Sequence, residues 1–253
     1  MLSTELDVSR WIIPAGVQPT RFLTGLALTL LFTLLARWMR GVSVSGAIAG
    51  FVVSLILYVL AGPQAFAVLV CVFLLTWLAT RLDYGKKKRL GTAEQSGGRT
   101  ASQVVANLGV ATIAVLFFAV QENSIYLLAA ISALSEAAAD TVSSEYGQAR
   151  GGNPRLITTW TIVPPGTDGA LSATGTLAGM AAALIVSSLG AIVGLISIRG
   201  LAMATLAAIF GMFCDSVLGA SLERKRWLNN NAVNFLSTLM AAIFGFLVGA
   251  KFL

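Results

Sequence analysis

Ser132-Ala-Leu-Ser-Glu-Ala-Ala-Ala-Asp-Thr-Val-Ser-Ser-Glu145 is the stretch on which the reading of this chain turns. It continues an apolar run that begins near Ile125, so it predicts the far end of a membrane-spanning helix. Yet it carries Glu136, Asp140 and Glu145, three of only 11 carboxylates in the sequence. Glu136 and Asp140 are four residues apart and so share one helical face. An ionised side chain at the bilayer centre costs about 2.5–3.5 kcal/mol even on the mildest scale, which makes such a residue a functional candidate. Two on one face repel unless a cation lies between them. Small neighbours (Ala137, Ala138, Ala139, Ser143, Ser144) leave room for that cation and a ligand. The competing reading is that the helix ends early and the acids are simply solvated.

Composition supports the membrane. Of 253 residues, 57% are hydrophobic and 11% charged, and the mean hydropathy is +0.83. A soluble domain carries about 25% charged residues. The expected fold is therefore all-α, a polytopic transmembrane bundle of about eight helices with no soluble domain. The net charge of +6 is explained first by topology rather than by nucleic acid. Cys71 and Cys214 lie in apolar runs without metal-ligand or disulfide spacing. The sequence has no His, which excludes His-based acid/base catalysis and His-ligated zinc. Carboxylates, amides, hydroxyls and cations remain, a set suited to Mg²⁺. Met1 to Pro19 lacks the pattern of a cleavable leader.

Hydrophobic runs place helices at roughly 21–38, 42–61, 63–80, 103–121, 124–144, 174–198, 200–222 and 232–252, all in one membrane domain. The joints at Gly62-Pro63 and Arg199-Gly200 are short. Basic residues gather in the alternate loops: Arg37 and Arg40, then Arg81 through Arg99, then Arg150 and Arg155, then Arg224, Lys225 and Arg226. The positive-inside rule puts those loops in the cytoplasm and both termini outside, as for a plasma or inner membrane protein. Asp140, Glu145, Asp215, Gln103, Asn107, Asn229–Asn231, Asn234 and the loop Gly151–Ser172 then fall on the cytoplasmic side. The far side is expected to carry little beyond Glu122 and Asn123. Asp140-Thr-Val and Asp215-Ser-Val, late in two inward-running helices, form a faint internal repeat.

These parts suit Mg²⁺-dependent phosphoryl transfer, whose catalysis is mostly positioning and charge neutralisation. Glu136, Asp140, Glu145 and Asp215 are the expected metal ligands. Arg99 can grip a phosphate bidentately. Gly97-Gly98 and Gly166-Thr167-Asp168-Gly169 offer backbone N–H groups to phosphate oxygens. Gln103, Asn107, Asn231 and Asn234 are placed to orient base, ribose or phosphate. The run Lys86–Arg89 reads as a topology determinant that adds long-range attraction, so Lys87→Gln should matter little and fade with salt. Asn229–Asn231 can equally cap the last helix, and Gly175…Gly179 can serve helix packing.

Five motifs in order carry a resemblance: Gly-Gly-Arg-Thr-Ala-Ser-Gln-Val-Val-Ala-Asn (97–107), Ala-Asp-Thr-Val-Ser-Ser-Glu (139–145), Leu-Ile-Thr-Thr (156–159) with Pro-Pro-Gly-Thr-Asp-Gly (164–169), Cys-Asp-Ser-Val-Leu-Gly-Ala (214–220) and Asn-Asn-Asn-Ala-Val-Asn-Phe-Leu-Ser-Thr (229–238). They resemble the integral-membrane family of transmembrane protein 19, which includes the chloroplast phytyl-phosphate kinase of vitamin E synthesis. The resemblance implies a prenyl-phosphate kinase, in which CTP or another nucleoside triphosphate phosphorylates a lipid monophosphate at the cytoplasmic face. Its expected partners are a prenyl monophosphate, the nucleotide and membrane lipids, with Mg²⁺ as cofactor and no nucleic acid. The residues by themselves leave two alternatives open: a secondary transporter or channel with an intramembrane carboxylate site, and another phospholipid-head enzyme such as a cytidylyltransferase. Chain length of the lipid and oligomeric state are not encoded in these patterns.

Overall fold

The computed structural model describes residues 18–94 and 97–252. The expectations for residues 1–17, that no leader is present and that the N-terminus lies outside, fall beyond the described residues. The helices are α1 (Pro19–Trp38), α2 (Val44–Arg81), α3 (Tyr84–Leu90), α4 (Ala101–Gln121), α5 (Ile125–Arg150), α6 (Ala173–Ile192), α7 (Ile198–Leu218) and α8 (Asn230–Phe252). Seven of them, all but the short α3, are long and apolar enough to cross a membrane. The chain is an all-α polytopic integral membrane protein.

Helix α2 resolves the apparent difference between seven helices and eight expected crossings. A straight helix of 38 residues would be about 57 Å long, nearly twice the hydrocarbon thickness. The backbone breaks at Gly62 (φ 88°, ψ 173°), just before Pro63. Tyr58 and Phe66, on either side of the break, meet with ring centroids 5.8 Å apart. At the other end, Trp77 Nε1 and Arg81 Nη2 donate to Met39 O, five residues before α2 begins. The two halves therefore form a hairpin whose tip is Gly62. Only glycine adopts that φ without strain, and Pro63 cannot continue the preceding helix. The bundle thus crosses eight times, with the joints expected from the sequence.

Helix α5 is the axis. It packs against α2, α4, α6, α7 and α8, and its residues Leu128 to Ala139 are buried without interruption. Close approach depends on small residues. A Cβ at Gly179 would lie 2.7 Å from Ala139 O, and one at Gly175 would lie 2.6 Å from Ser143 O. The packing role weighed for Gly175…Gly179 is therefore realised. A Cβ at Gly211 of α7 would lie 2.6 Å from Glu136 Cγ.

Several boundaries differ from expectation. Helix α5 runs to Arg150, not 144, so its acids are helix-interior residues and not the solvated end of a short helix. Helix α6 ends at Ile192, before Gly194 at φ 79°, rather than at 198. The basic run expected as loop is the helix α3. Beyond α5, the strands β1 (Arg155–Leu156) and β2 (Ala170–Leu171) pair antiparallel and close the loop over the bundle end. Helix α7 continues into a π-helical turn, Gly219–Glu223. The far end is also less bare than expected. Arg21, whose Nη2 reaches Tyr58 O, lies there with Arg199 and Lys251 at the outer ends of α7 and α8.

Candidate active site

The carboxylates are set by helix phase. Asp140 of α5 and Asp215 of α7 face each other within hydrogen-bonding reach. They stand at the floor of a polar cavity of about 350 Å³, inside the range of small-molecule sites. Arg99 forms one wall. Its Nη2 donates to Thr141 Oγ1 at 3.4 Å, and its guanidinium is the cation acting on Asp140. Asn107 of α4 and Asn234 of α8 line the cavity too, and the loop Pro165–Ser172 covers it. Six chain segments converge here, all at the end of the bundle where most of the basic residues gather.

The four expected metal ligands do not form one cluster. Glu136 is 1% exposed and one turn deeper than Asp140. It sits against Gly211 and near Ser237, and it does not line the cavity. Glu145 does, but its Oε2 accepts a 2.5 Å bond from Lys87 Nζ. Among the described residues no three carboxylates or cysteines come close enough to hold a metal by themselves. The structure leaves Asp140 and Asp215 as the pair. Asp215 Oδ2 is buried without a hydrogen-bond partner among the described residues, as an oxygen awaiting a cation would be.

Lys87 overturns a second expectation. It is fully buried, donates to Ala79 O, Thr80 O and Glu145, and pins α3 to α2 and α5. Nothing in a run of four similar charges singles it out. Lys86, its neighbour in sequence, points elsewhere and reaches Ala149 O at 2.6 Å.

The glycines divide. Gly97 is exposed, and Gly98 (φ 83°) packs so tightly on the turn before α2 that a Cβ would lie 2.6 Å from Val42 N. Arg99 N donates to Gly41 O, and Ser43 N donates to Arg99 O. Gly97-Gly98 is therefore no phosphate cradle: it anchors the chain so that Arg99 reaches the cavity. Gly166 (φ 85°) abuts Thr92, and Gly169 (φ 74°) abuts the backbone of Ser216 and Ala220. With Thr167 and Asp168 they do line the cavity. Thr167 N is already bonded to Pro164 O, so that amide is not free for phosphate.

The amides divide similarly. Gln103 completes a capping box with Thr100 and donates to Glu94. It touches the cavity while engaged locally. Asn107 Nδ2 donates to Gln103 O at 2.8 Å. Asn231 lies outside the cavity wall, and Asn230 stands there with Asn234. Asn229 Oδ1 caps α8 through Ala232 N.

Two acids of the cavity wall, Glu94 and Glu223, were missed by sequence reasoning, and Glu223 is the one beside the carboxylate pair. It lines the cavity and lies near Asp168 and Asp140. Eight residues on an ideal helix would rotate it about 80° from Asp215. The π turn absorbs one residue and brings it back to within about 20°. Periodicity alone therefore points Glu223 elsewhere.

Residues 27–242 match the sequence profile described as integral membrane protein DUF92. The chain belongs to that family. It is 31% identical over 219 residues to Protein VTE6, chloroplastic, of Arabidopsis thaliana, covering 83% of this chain and 66% of that one. It spans just under two thirds of that relative's length. Identity is 37% over 197 residues with the uncharacterized membrane protein sll0875 of Synechocystis, covering 76% of each. It is 32% over 228 residues with the uncharacterized membrane protein MJ0933 of Methanocaldococcus jannaschii, covering 90% of this chain and 94% of the relative. No solved structure matches. The family match spans every membrane segment that contributes to the cavity, from α1 through most of α8.

Proposed function

We propose that this DUF92 protein is a lipid-monophosphate kinase, moving a phosphoryl group from a nucleoside triphosphate, CTP or another, to a prenyl monophosphate. The observation that carries the reading is the facing pair Asp140 and Asp215, with Arg99 beside them, in one polar cavity at the end of an apolar bundle. Membership of the family alongside the VTE6 relative supports it, as does the resemblance of the chain's motifs to the family that includes the phytyl-phosphate kinase. In the transfer, a P–O bond of the triphosphate breaks and a new one forms to the lipid phosphate. The products are a nucleoside diphosphate and a lipid diphosphate.

A phosphate monoester has its second pKa near 6 and is already anionic at neutral pH. Its oxygen needs no general base, so a chain without histidine is adequate to the task. What the reaction needs is cancellation of negative charge. Arg99 supplies a fixed cation, and Asp140 and Asp215 are the residues that would hold Mg²⁺, with phosphate oxygens completing its shell. When bound, Mg²⁺ would neutralise charge developing on the transferred group. Asn107 and Asn234 are placed to orient the phosphates, and the Pro165–Ser172 loop to exclude water. A transporter would need polar side chains along the full bilayer depth. Beyond Glu136 the axis offers Ser132 and Ser135, already bonded to Leu128 O and Ser187, and Tyr126 at its far end.

The test is to incubate purified protein with a prenyl monophosphate, Mg²⁺ and each nucleoside triphosphate, and to look for lipid diphosphate. Product with none of them, under conditions where the protein is folded, removes the kinase reading. Arg99→Lys should insert and fold normally yet raise KM for nucleotide or lipid phosphate, by the equivalent of about 1.5–3 kcal/mol, because the ammonium lacks the planar fork. Unchanged kinetics in that variant would take Arg99 out of the site.

Orientation follows from charge. Arg21, Arg199 and Lys251 are the described basic residues at the far end, and the others stand at the cavity end. By the positive-inside rule this distribution supports a cavity that faces the cytoplasm and a C-terminus outside. In a background lacking Cys71 and Cys214, cysteines at Gly152 and Lys225 should react with impermeant maleimide only from the cytoplasmic side. One at Arg199 should react only from outside. The opposite pattern would turn the cavity outward, away from cellular nucleotides.

A further inference from the structure

A second cavity, about 240 Å³, lies between α1, α2 and α4. Its wall is mostly apolar, with Phe32, Phe73, Val104 and Leu108 among its side chains. It is not isolated: Glu94, Arg99, Gln103 and Asn107 belong to its wall and to that of the polar cavity. One guanidinium therefore stands where an oily space meets a polar one.

We propose that this apolar cavity seats the first part of the substrate's hydrocarbon chain, running from a phosphate held at Arg99 into the bilayer between α1, α2 and α4. The inference rests on the lipid-phosphate reading and adds to it where the tail lies and from which side the lipid arrives. Three observations carry it. The shared wall makes the two cavities a single amphipathic space, complementary to a molecule that is anionic at one end and apolar at the other. Small residues on α2 keep the apolar half open: Gly46, Ala47 and Gly50 all line it. Gly46 is required there for backbone packing, since a Cβ would collide with Arg99 O, but Gly50 is not. A Cβ at Gly50 would meet nothing within 4 Å, so this glycine looks onto empty space. Depth agrees as well. Gly50 lies six residues into α2, about 9 Å below its start at 1.5 Å per residue, and Leu108 lies comparably far into α4. The cavity thus leads from the Arg99 level into the hydrocarbon, and not along the surface.

The geometry also separates the two substrates. The nucleotide enters from the aqueous end, under the Pro165–Ser172 loop, and the lipid comes sideways from the membrane. They meet at Arg99, Asp140 and Asp215. Specificity for the lipid then resides in α1, α2 and α4, and that for the nucleotide in α5, α7, α8 and the covering loop.

Gly50→Trp fills the space without meeting a neighbour at its Cβ, and Leu206→Trp, on the exposed face of α7 away from both cavities, controls for the added indole. The first readout is photocrosslinking of farnesyl monophosphate carrying a terminal diazirine. In the parent protein, labelled peptides should come from α1, α2 and α4, and unlabelled farnesyl monophosphate should compete. Gly50→Trp should lower that labelling at least about tenfold, the scale on which apolar pockets discriminate, while Leu206→Trp and nucleotide binding stay near parental values. Labelling confined to α6, α7 or α8, or undiminished in Gly50→Trp, overturns the assignment of the tail. Because crosslinking needs no turnover, a failed kinase assay with intact α1/α2/α4 labelling rejects the chemistry and leaves the tail site standing. Turnover of the monophosphate by Gly50→Trp at parental kcat/KM rejects the tail site and leaves the chemistry.

Discussion

Asp140→Asn and Asp215→Asn each lower kcat by about 10³-fold or more, the upper end of what removal of one charge-stabilising group produces. The reason lies in the geometry of the pair: the two carboxylates face each other across α5 and α7, and the proposed cation would need both. The double variant loses little beyond either single one, since groups that act as a unit are grossly non-additive. Stability moves the other way. Asp215 Oδ2 is buried and unpartnered among the described residues, and replacing such a group by a neutral amide relieves a desolvation cost. Thermal unfolding of Asp215→Asn in detergent should therefore occur at or above the parental temperature. Multiplicative losses of activity, or collapse of the fold in the single variants, would contradict one shared site.

Lys87→Met destabilises the protein by about 3–5 kcal/mol, because it strands Glu145 as an uncompensated buried charge. The companion double variant, Lys87→Met with Glu145→Leu, recovers most of that loss, since an ion pair replaced whole by apolar groups of similar volume is close to neutral. Denaturant unfolding in micelles measures both. Added salt should change the difference little, because Lys87 is fully buried and Glu145 nearly so, and such a pair is screened much less than an exposed one. An exposed lysine would behave oppositely, with a small and salt-sensitive effect. A small, salt-sensitive loss in Lys87→Met would therefore place Lys87 back on the surface.

Much of the architecture was legible because membrane helices obey a coarse rule. Apolar length marks crossings, and alternation of basic loops marks sides. The hairpin at Gly62-Pro63 was readable from two residues whose backbone limits are local. Asp140, Asp215 and Arg99 were readable because charge is rare in such a chain, and their convergence is what the structure adds. Other features lay beyond such reasoning. Lys87 is indistinguishable in sequence from Lys86 and Lys88, since its burial is decided by α3 docking on Glu145. Glu223 is aimed by a π turn that periodicity does not anticipate. Gly98 was misread because a positive φ serves close packing as readily as ligand approach, and only the neighbouring backbone of Val42 shows which applies. Gln103 was taken for a ligand-orienting amide, but its capping box with Thr100 uses the same side chain.

The central place of α5 has a consequence for how the protein is made. It is the least hydrophobic of the membrane-crossing helices and the one most enclosed by the rest. Glu136 and Asp140 ride on it, and each such residue weighs against insertion of a lone helix by about 2.5–3.5 kcal/mol near the bilayer centre. The helices that shelter it on one side, α2 and α4, have already been synthesised, but α6, α7 and α8 have not. A ribosome that has just released α5 has therefore produced an acidic helix with half its wall missing. Its secure residence in lipid must wait for roughly the last third of the chain, so truncation anywhere in α6 to α8 should yield a product cleared by quality-control proteases rather than a smaller stable bundle.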